Sequence, residues 1–346
     1  MRKSFGIIFA AVLMFSAQVF AKDNPVVTLD SVQLQNNQHN PHGKMPVYVA
    51  ELSNINDYNI FANSGWDGSW YAGYNVCWME ELGQIPKWEY SKAFIGVKLG
   101  RMKTRPVPGK AVWEKEPIPG DIYVALSTTS SWKSDQKYFL ASTKDIPLEG
   151  DNENALEGVG EARWFWAEVP VENINLEGSN YIALWSPTEY FVSTASSPVL
   201  AGGWGSNYLN TWMNNDIRGY PPLKAANALK TGITVFEPAI ALKLVPKGCE
   251  QEIRVAIADV KDGRKKTANK TFIAAVLGNE IECAWLELST DGKSWQRITR
   301  YEYSAPYMIT IKPETLPTGS LKIRCAARDI WGNAGYSTPA EIKVSK

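Results

Sequence analysis

The sequence predicts an all-β protein: one β-sandwich over residues 45–245, a second over 246–346, and a short export segment ahead of both. Three observations carry that expectation. Runs rich in Val, Ile, Tyr and Trp recur between clusters of Gly, Pro, Asn and Asp, with no sustained helical periodicity. The pattern tightens after the Pro-Lys-Gly stretch at 245–249, which marks a boundary. The first residues have the layout of a cleavable signal.

That signal is expected over residues 1–21. Arg2 and Lys3 form a basic start, an apolar run covers 5–15, and small residues lead to a cut after Ala21. A membrane-spanning helix needs roughly 20 apolar residues, more than this run supplies. No cysteine follows the cut to carry a lipid. The expected location is therefore secreted, extracellular or at the cell surface, with the periplasm as a further compartment and no membrane span after cleavage. Residues 22–44 read as a polar arm containing His39 and His42.

Within 45–245 the strand-like runs are 93–99, 121–127, 163–169, 180–185 and 233–236. Residues 239–244 alternate and predict a half-buried closing strand. About 325 residues after the signal suit two domains better than one core. In 246–346 the runs are 252–257, 271–277, 284–289, 307–311, 321–327 and 340–344, at the spacing of a compact sandwich.

Charge and motifs exclude several functions. The chain has 36 basic and 36 acidic residues, so nothing points to nucleic acid or an anionic membrane. Both histidines lie in the polar arm, where no rigid shell would hold an imidazole for catalysis or a metal. Phosphate-loop, zinc-protease and nucleophile-elbow motifs are missing. A glycosidase needs only two carboxylates, and Glu80, Glu81, Glu168 and Glu189 lie near aromatics. Adjacent Glu80 and Glu81 would point to opposite faces of a strand and so cannot form the working pair. The acidic turn at 151–154 lacks calcium-loop spacing. No catalytic residue, cofactor or metal is expected.

Aromatics are the conspicuous excess, with 11 of the 14 tryptophans before residue 246. Trp164, Trp166 and Trp185 sit in strand-like runs and read as core. Two groups fall instead in Gly- and Asn-rich loops: Trp66, Trp70, Tyr71 and Tyr74, then Trp204, Asn207, Tyr208 and Trp212. Ring faces beside amides suit sugar binding, and the alternative is that they plug the sandwich. Cys77, Cys249, Cys283 and Cys325 allow three full disulfide pairings in an exported chain, or buried free thiols. A bridge from Cys283 to Cys325 would need a bulge between Cys283 and Ala284, Leu286 and Leu288.

Two resemblances refine the fold. The stretch Trp285-Leu286-Glu287-Leu288-Ser289-Thr290-Asp291-Gly292-Lys293-Ser294-Trp295 resembles the hairpin of bacterial immunoglobulin-like and fibronectin-type-III-like domains. Residues 326–337, with Asp329, Gly332, Asn333, Gly335 and Ser337, resemble their penultimate strand and its turn. Residues 93–99, 121–127, 164–166 and 176–186 resemble secreted jelly-roll sandwiches, a layout shared by carbohydrate-binding modules and structural modules. The resemblances imply an N-terminal jelly-roll-like sandwich followed by an immunoglobulin-like one. The expected function is adhesion or glycan binding, with a polysaccharide or another surface protein as partner. The alternatives are a structural subunit of an extracellular assembly and a small glycoside-active enzyme.

Overall fold

The computed structural model describes residues 43–61, 70–83, 85–132, 136–149, 162–205, 209–221, 229, 231–259 and 269–344. The expected signal, both histidines and the acidic turn at 151–154 lie outside these residues. The architecture is all-β, built from antiparallel sheets. Among the described residues there is no α-helix, and single 3-10 turns occur at Ile55–Asp57, Val171–Asn173 and Pro313–Thr315. No helix among them is long and apolar enough to cross a membrane. Residues 45–247 form one compact unit, and 248–346 with Lys44 belong to another.

The first unit begins with β1 (Val47–Val49), β2 (Ile60–Phe61), β3 (Cys77–Leu82) and β4 (Tyr90–Gly100). A small ribbon of β5 (Thr104–Pro106) and β6 (Lys115–Pro117) follows. Then come β7 (Asp121–Ser127), β8 (Lys137–Ser142), β9 (Ala162–Val169), β10 (Asn180–Trp185) and β11 (Val199–Trp204). β12 (Thr211–Asn214), β13 (Thr231–Ile233), β14 (Phe236–Pro238) and β15 (Ile240–Pro246) complete it.

β4 organises the first sheet. β15 and β9 both pair with its residues 93–97 and so flank its two edges, while β11 joins at Leu99 and Gly100. β1 extends the sheet from β15, and β2 and β14 pair with β11. The second sheet runs β13-β12-β3-β10-β7-β8. The sheets pack face to face, because Ile95, Val97 and Leu242 of one share a buried cluster with Trp78, Val124 and Ile182 of the other. Each such side chain taken from water contributes roughly 1.5–3 kcal/mol.

Two local expectations change. β15 is buried along its whole length rather than on one face. Its outward Lys243 lies under aromatic cover, with Nζ 4.6 Å from the Phe94 ring and 4.7 Å from the Trp166 ring, a cation–π arrangement. Trp166 can lie flat there because Gly96 is its register partner, and a Cβ on Gly96 would fall 2.1 Å from the ring. The expected run at 233–236 is two strands. β13 belongs to the second sheet and β14 to the first, and the chain turns between them at Val235, whose φ is 78°.

The second unit contains β16 (Arg254–Asp259), β17 (Lys270–Leu277), β18 (Ile281–Ser289), β19 (Gln296–Arg297) and β20 (Tyr307–Ile311). β21 (Gly319–Asp329), β22 (Ala334–Tyr336) and β23 (Ala340–Val344) follow. One sheet is β16-β17-β20, and the other joins β19, β18 and β21 with β22 and β23 against β21. Phe272, Val276, Leu286, Ile323 and Cys325 meet in its core. The Asp291-Gly292 turn closes as its residue types require. The Asp291 carboxylate accepts from the amides of Lys293 and Ser294, each at 2.8 Å, and Gly292 takes φ +74°. Asp329 likewise accepts from the Asn333 amide at 2.8 Å, and Gly332 takes φ +75°.

All four cysteines are buried and none is in a disulfide, so the disulfide alternative is not realised. The reason is register: Cys325 faces Leu286 in the core, whereas Cys283 sits opposite Arg328 and packs with Trp285 in a separate cluster. The register shift falls between Ile281 and Cys283, not between Cys283 and Ala284, so the two thiols stay on different faces. Burial raises the Cys325 thiol to about 12 and the Cys77 thiol further still.

Candidate functional site

The two aromatic groups separate by burial. Trp70, Tyr71 and Trp212 are only 7–8 % exposed, which corrects the expectation that they contact ligand. Trp70 packs on Trp78 at 5.1 Å, with space provided by Gly202, whose Cβ would meet the Trp70 ring. The Tyr71 hydroxyl donates at 2.9 Å to the Val192 carbonyl. Trp212 clusters with Met79 and Trp185 on the far side of the second sheet. Tyr74 is half-buried, its ring against the backbone of Gly219. Trp204 is 65 % exposed and packs one side on Phe236, its register partner, with ring centres 4.2 Å apart. Trp66, Asn207 and Tyr208 lie outside the described residues.

A cleft the sequence does not advertise lies at another edge of the first unit. Its volume is about 920 Å³, and its walls come from β1 with Glu51, the end of β3 with Pro86, the turn at Gly178 and Ser179, and Leu209 with Asn210. Tyr48, 37 % exposed, is among its lining residues, with its ring 5.7 Å from that of Trp166. Polar residues line the same cleft. The Asn210 amide donates to Glu51 at 2.6 Å, and the Ser179 hydroxyl donates to Glu81. The opposite-face expectation for Glu80 and Glu81 is realised: Glu81 lines the cleft, whereas Glu80 shares the inward face of Trp78 and Leu82 and has no exposed surface.

Glu80 is not isolated. Thr211 is its register partner on β12, and the Thr211 hydroxyl donates at 2.6 Å to Glu237 of β14, which is also fully buried. Both Glu80 oxygens and Oε1 of Glu237 are enclosed without a hydrogen bond. Burial first, then the charges of Glu237 and Glu51, pushes the Glu80 carboxyl far above the usual carboxylate range. Burial raises Glu237 to about 7, with the Thr211 hydroxyl opposing and Glu51 adding to the rise. Tyr58 is raised as well, by burial and then by Glu80. Burial lowers Lys98 to about 8, and its ammonium donates at 2.6 Å to the Tyr58 carbonyl.

Chemically, the cleft offers an aromatic face, two carboxylates, an amide and a hydroxyl, a set that meets a polyhydroxylated ligand. The buried pair offers oxygen donors without solvent access. Nothing in the sequence singles out Glu237, and Glu80 enters there only as half of a pair that cannot work. A polar residue between apolar Trp78 and Leu82 on one strand face was the available signal. Nothing local links it to Glu237, because the contact crosses between sheets. Among the described residues, no group of three or more His, Cys, Asp or Glu side chains is arranged to hold a metal ion.

No family model matches the chain, and no curated protein matches it. Among solved structures, it is similar to a β-1,2-glucanase from Parabacteroides distasonis, at 10 % identity and TM-score 0.23, covering 77 % of this chain and 30 % of that one. It is similar also to the glycoside hydrolase domain of Endo-D from Streptococcus pneumoniae R6, at 11 % identity and TM-score 0.23, covering 77 % and 31 % respectively. The chain thus spans under a third of either structure's length, and the likeness is too slight to carry an argument about fold or activity.

Proposed function

We propose that the first unit is a non-catalytic glycan-binding module of an exported surface protein, with the sugar held in the cleft beside Tyr48. The observation that carries this reading is the cleft whose lining joins Tyr48, its ring beside Trp166, with Glu51, Asn210, Glu81 and Ser179. A pyranose stacks its apolar face on such a ring while its hydroxyls reach carboxylate and amide oxygens. Binding rather than hydrolysis is favoured because the two carboxyls with strongly raised affinity for protons, Glu80 and Glu237, have no surface that a glycosidic bond could touch.

The test is a glycan array followed by calorimetry with Tyr48→Ala and, separately, Trp204→Ala. Loss of about tenfold or more in affinity for Tyr48→Ala alone is the expected result. Loss only for Trp204→Ala would move the site to the expected aromatic loop. Undiminished binding by both variants, or none by the wild type, would sink the glycan reading. A structural role in an assembly is favoured by one feature, the ribbon segment with Val112 at 75 % and Trp113 at 83 % exposure. Concentration-dependent association abolished by Trp113→Ser would support it. Export predicts a secreted mature chain beginning at Lys22, read by N-terminal sequencing.

A further inference from the structure

The buried acidic pair poses a physical problem that protons solve poorly. Glu80 is fully buried, and neither of its oxygens has a hydrogen-bond partner. Protonation would remove its charge yet leave at least one of its enclosed oxygens without a partner, which is itself costly. Glu237, equally buried, has one oxygen on Thr211 and the other unpartnered. The groups come from different sheets, β3 and β14: Glu80 is the register partner of Thr211, and Glu237 accepts the Thr211 hydroxyl. Glu51 contributes charge nearby, but it is engaged with Asn210 at the cleft.

We propose that Glu80 and Glu237 are the carboxylate ligands of a divalent cation, calcium in preference to magnesium, with the Thr211 hydroxyl oxygen beside them. Two carboxylates match a double positive charge. The unpartnered atoms of the pair are all oxygens, the donors of hard cations, with no thiolate or imidazole that would select zinc or copper. Calcium accepts irregular oxygen sets and bidentate carboxylates, whereas magnesium demands near-octahedral geometry and gives up water reluctantly. The ion would tie one sheet to the other.

The experiment uses the full mature chain stripped with chelator, its unfolding followed by tryptophan fluorescence at neutral pH. Calcium at a hundredfold excess over its dissociation constant should raise the melting temperature by roughly 5–10 °C, and magnesium by less. Elemental analysis of the dialysed protein should find stoichiometric calcium. Glu80→Gln and Glu237→Gln should abolish the shift, and Glu114→Gln, an exposed carboxylate elsewhere, should retain it. Should Glu80→Gln fail to fold, terbium added to the wild type gives the second readout. Emission sensitised by nearby aromatic rings such as Tyr58, and displaced by calcium, supports the site. No calcium-dependent shift, no bound calcium, or an undiminished shift in Glu80→Gln overturns it.

Discussion

Replacing Glu237 with glutamine isolates the electrostatic load that the first unit carries. Glutamine keeps the side chain's shape and an oxygen to accept from Thr211, but it cannot ionise. Glu237 is raised from 4.5 to about 7, mainly by burial. A tenfold change in proton affinity corresponds to about 1.4 kcal/mol, so ionising Glu237 in the folded chain costs about 3 kcal/mol. The sign follows from proton counting. Between about pH 4.5 and 7 the folded state keeps a proton that the unfolded state releases, so stability falls as pH rises through that window. Above pH 7 the loss is complete. The assay is urea unfolding in chelator across this range, read by tryptophan fluorescence, which reports chiefly the first unit because 11 of 14 tryptophans precede residue 246. Glu237→Gln should match the wild type near pH 4.5 and exceed it by about 3 kcal/mol above pH 7. Glu80 acts in the same direction, so the difference between the two profiles, not the slope of either, is the measured quantity. Parallel profiles would refute the argument.

Three further outcomes follow from packing. Gly335→Ala should destabilise the second unit by about 2 kcal/mol or more, because its Cβ would fall 2.0 Å from the Ile253 carbonyl oxygen, and calorimetry of the second transition checks this. Gly96→Ala should act comparably on the first unit, and its combination with Trp166→Ala should be less damaging than the sum of the two, as a double-mutant cycle would measure. The four cysteines should all titrate with a thiol reagent in denaturant without prior reduction and react slowly in the native protein, since each is buried and outside any disulfide.

Strand positions were legible in the sequence wherever a run of β-branched and aromatic residues ended at a turn former. The bounds expected for residues 121–127, 180–185, 307–311 and 340–344 are those observed. Burial on the second face was not legible. β15 alternates in sequence, yet Lys243 lies beneath Phe94 and Trp166, and only tertiary packing reveals that a lysine can be covered by rings. The run at 233–236 misled because composition cannot report a change of sheet. The same limit explains the site. Loop composition drew attention to Trp70, Tyr71 and Trp212, but glycines beside them signal room for buried rings as readily as exposed loops. The cleft instead uses β1 and strand ends, whose residues look ordinary one at a time.

The buried pair and the cleft meet in a single dipeptide, which argues against treating Glu80 and Glu237 as incidental core residues. Asn210 bonds Glu51 at the cleft, and the next residue, Thr211, bonds Glu237 in the interior. Asn210 immediately precedes β12 and Thr211 begins it, so this one segment serves both places. Apolar residues of similar volume would make the same join between sheets at lower cost, since well-packed hydrophobic side chains commonly match or exceed buried charges in stability. A sandwich built for rigidity alone therefore has no use for two enclosed carboxylates with three unpartnered oxygens. A cation would turn that liability into a tie between the sheets and would fix Thr211, and through the shared backbone Asn210, in place. On this argument calcium removal should loosen the edge of the cleft that Asn210 forms. Amide exchange of residues 209–214 should then quicken on adding chelator to the wild type and stay unchanged on adding it to Glu80→Gln. Equal exchange with and without calcium in the wild type would break the connection between the two sites.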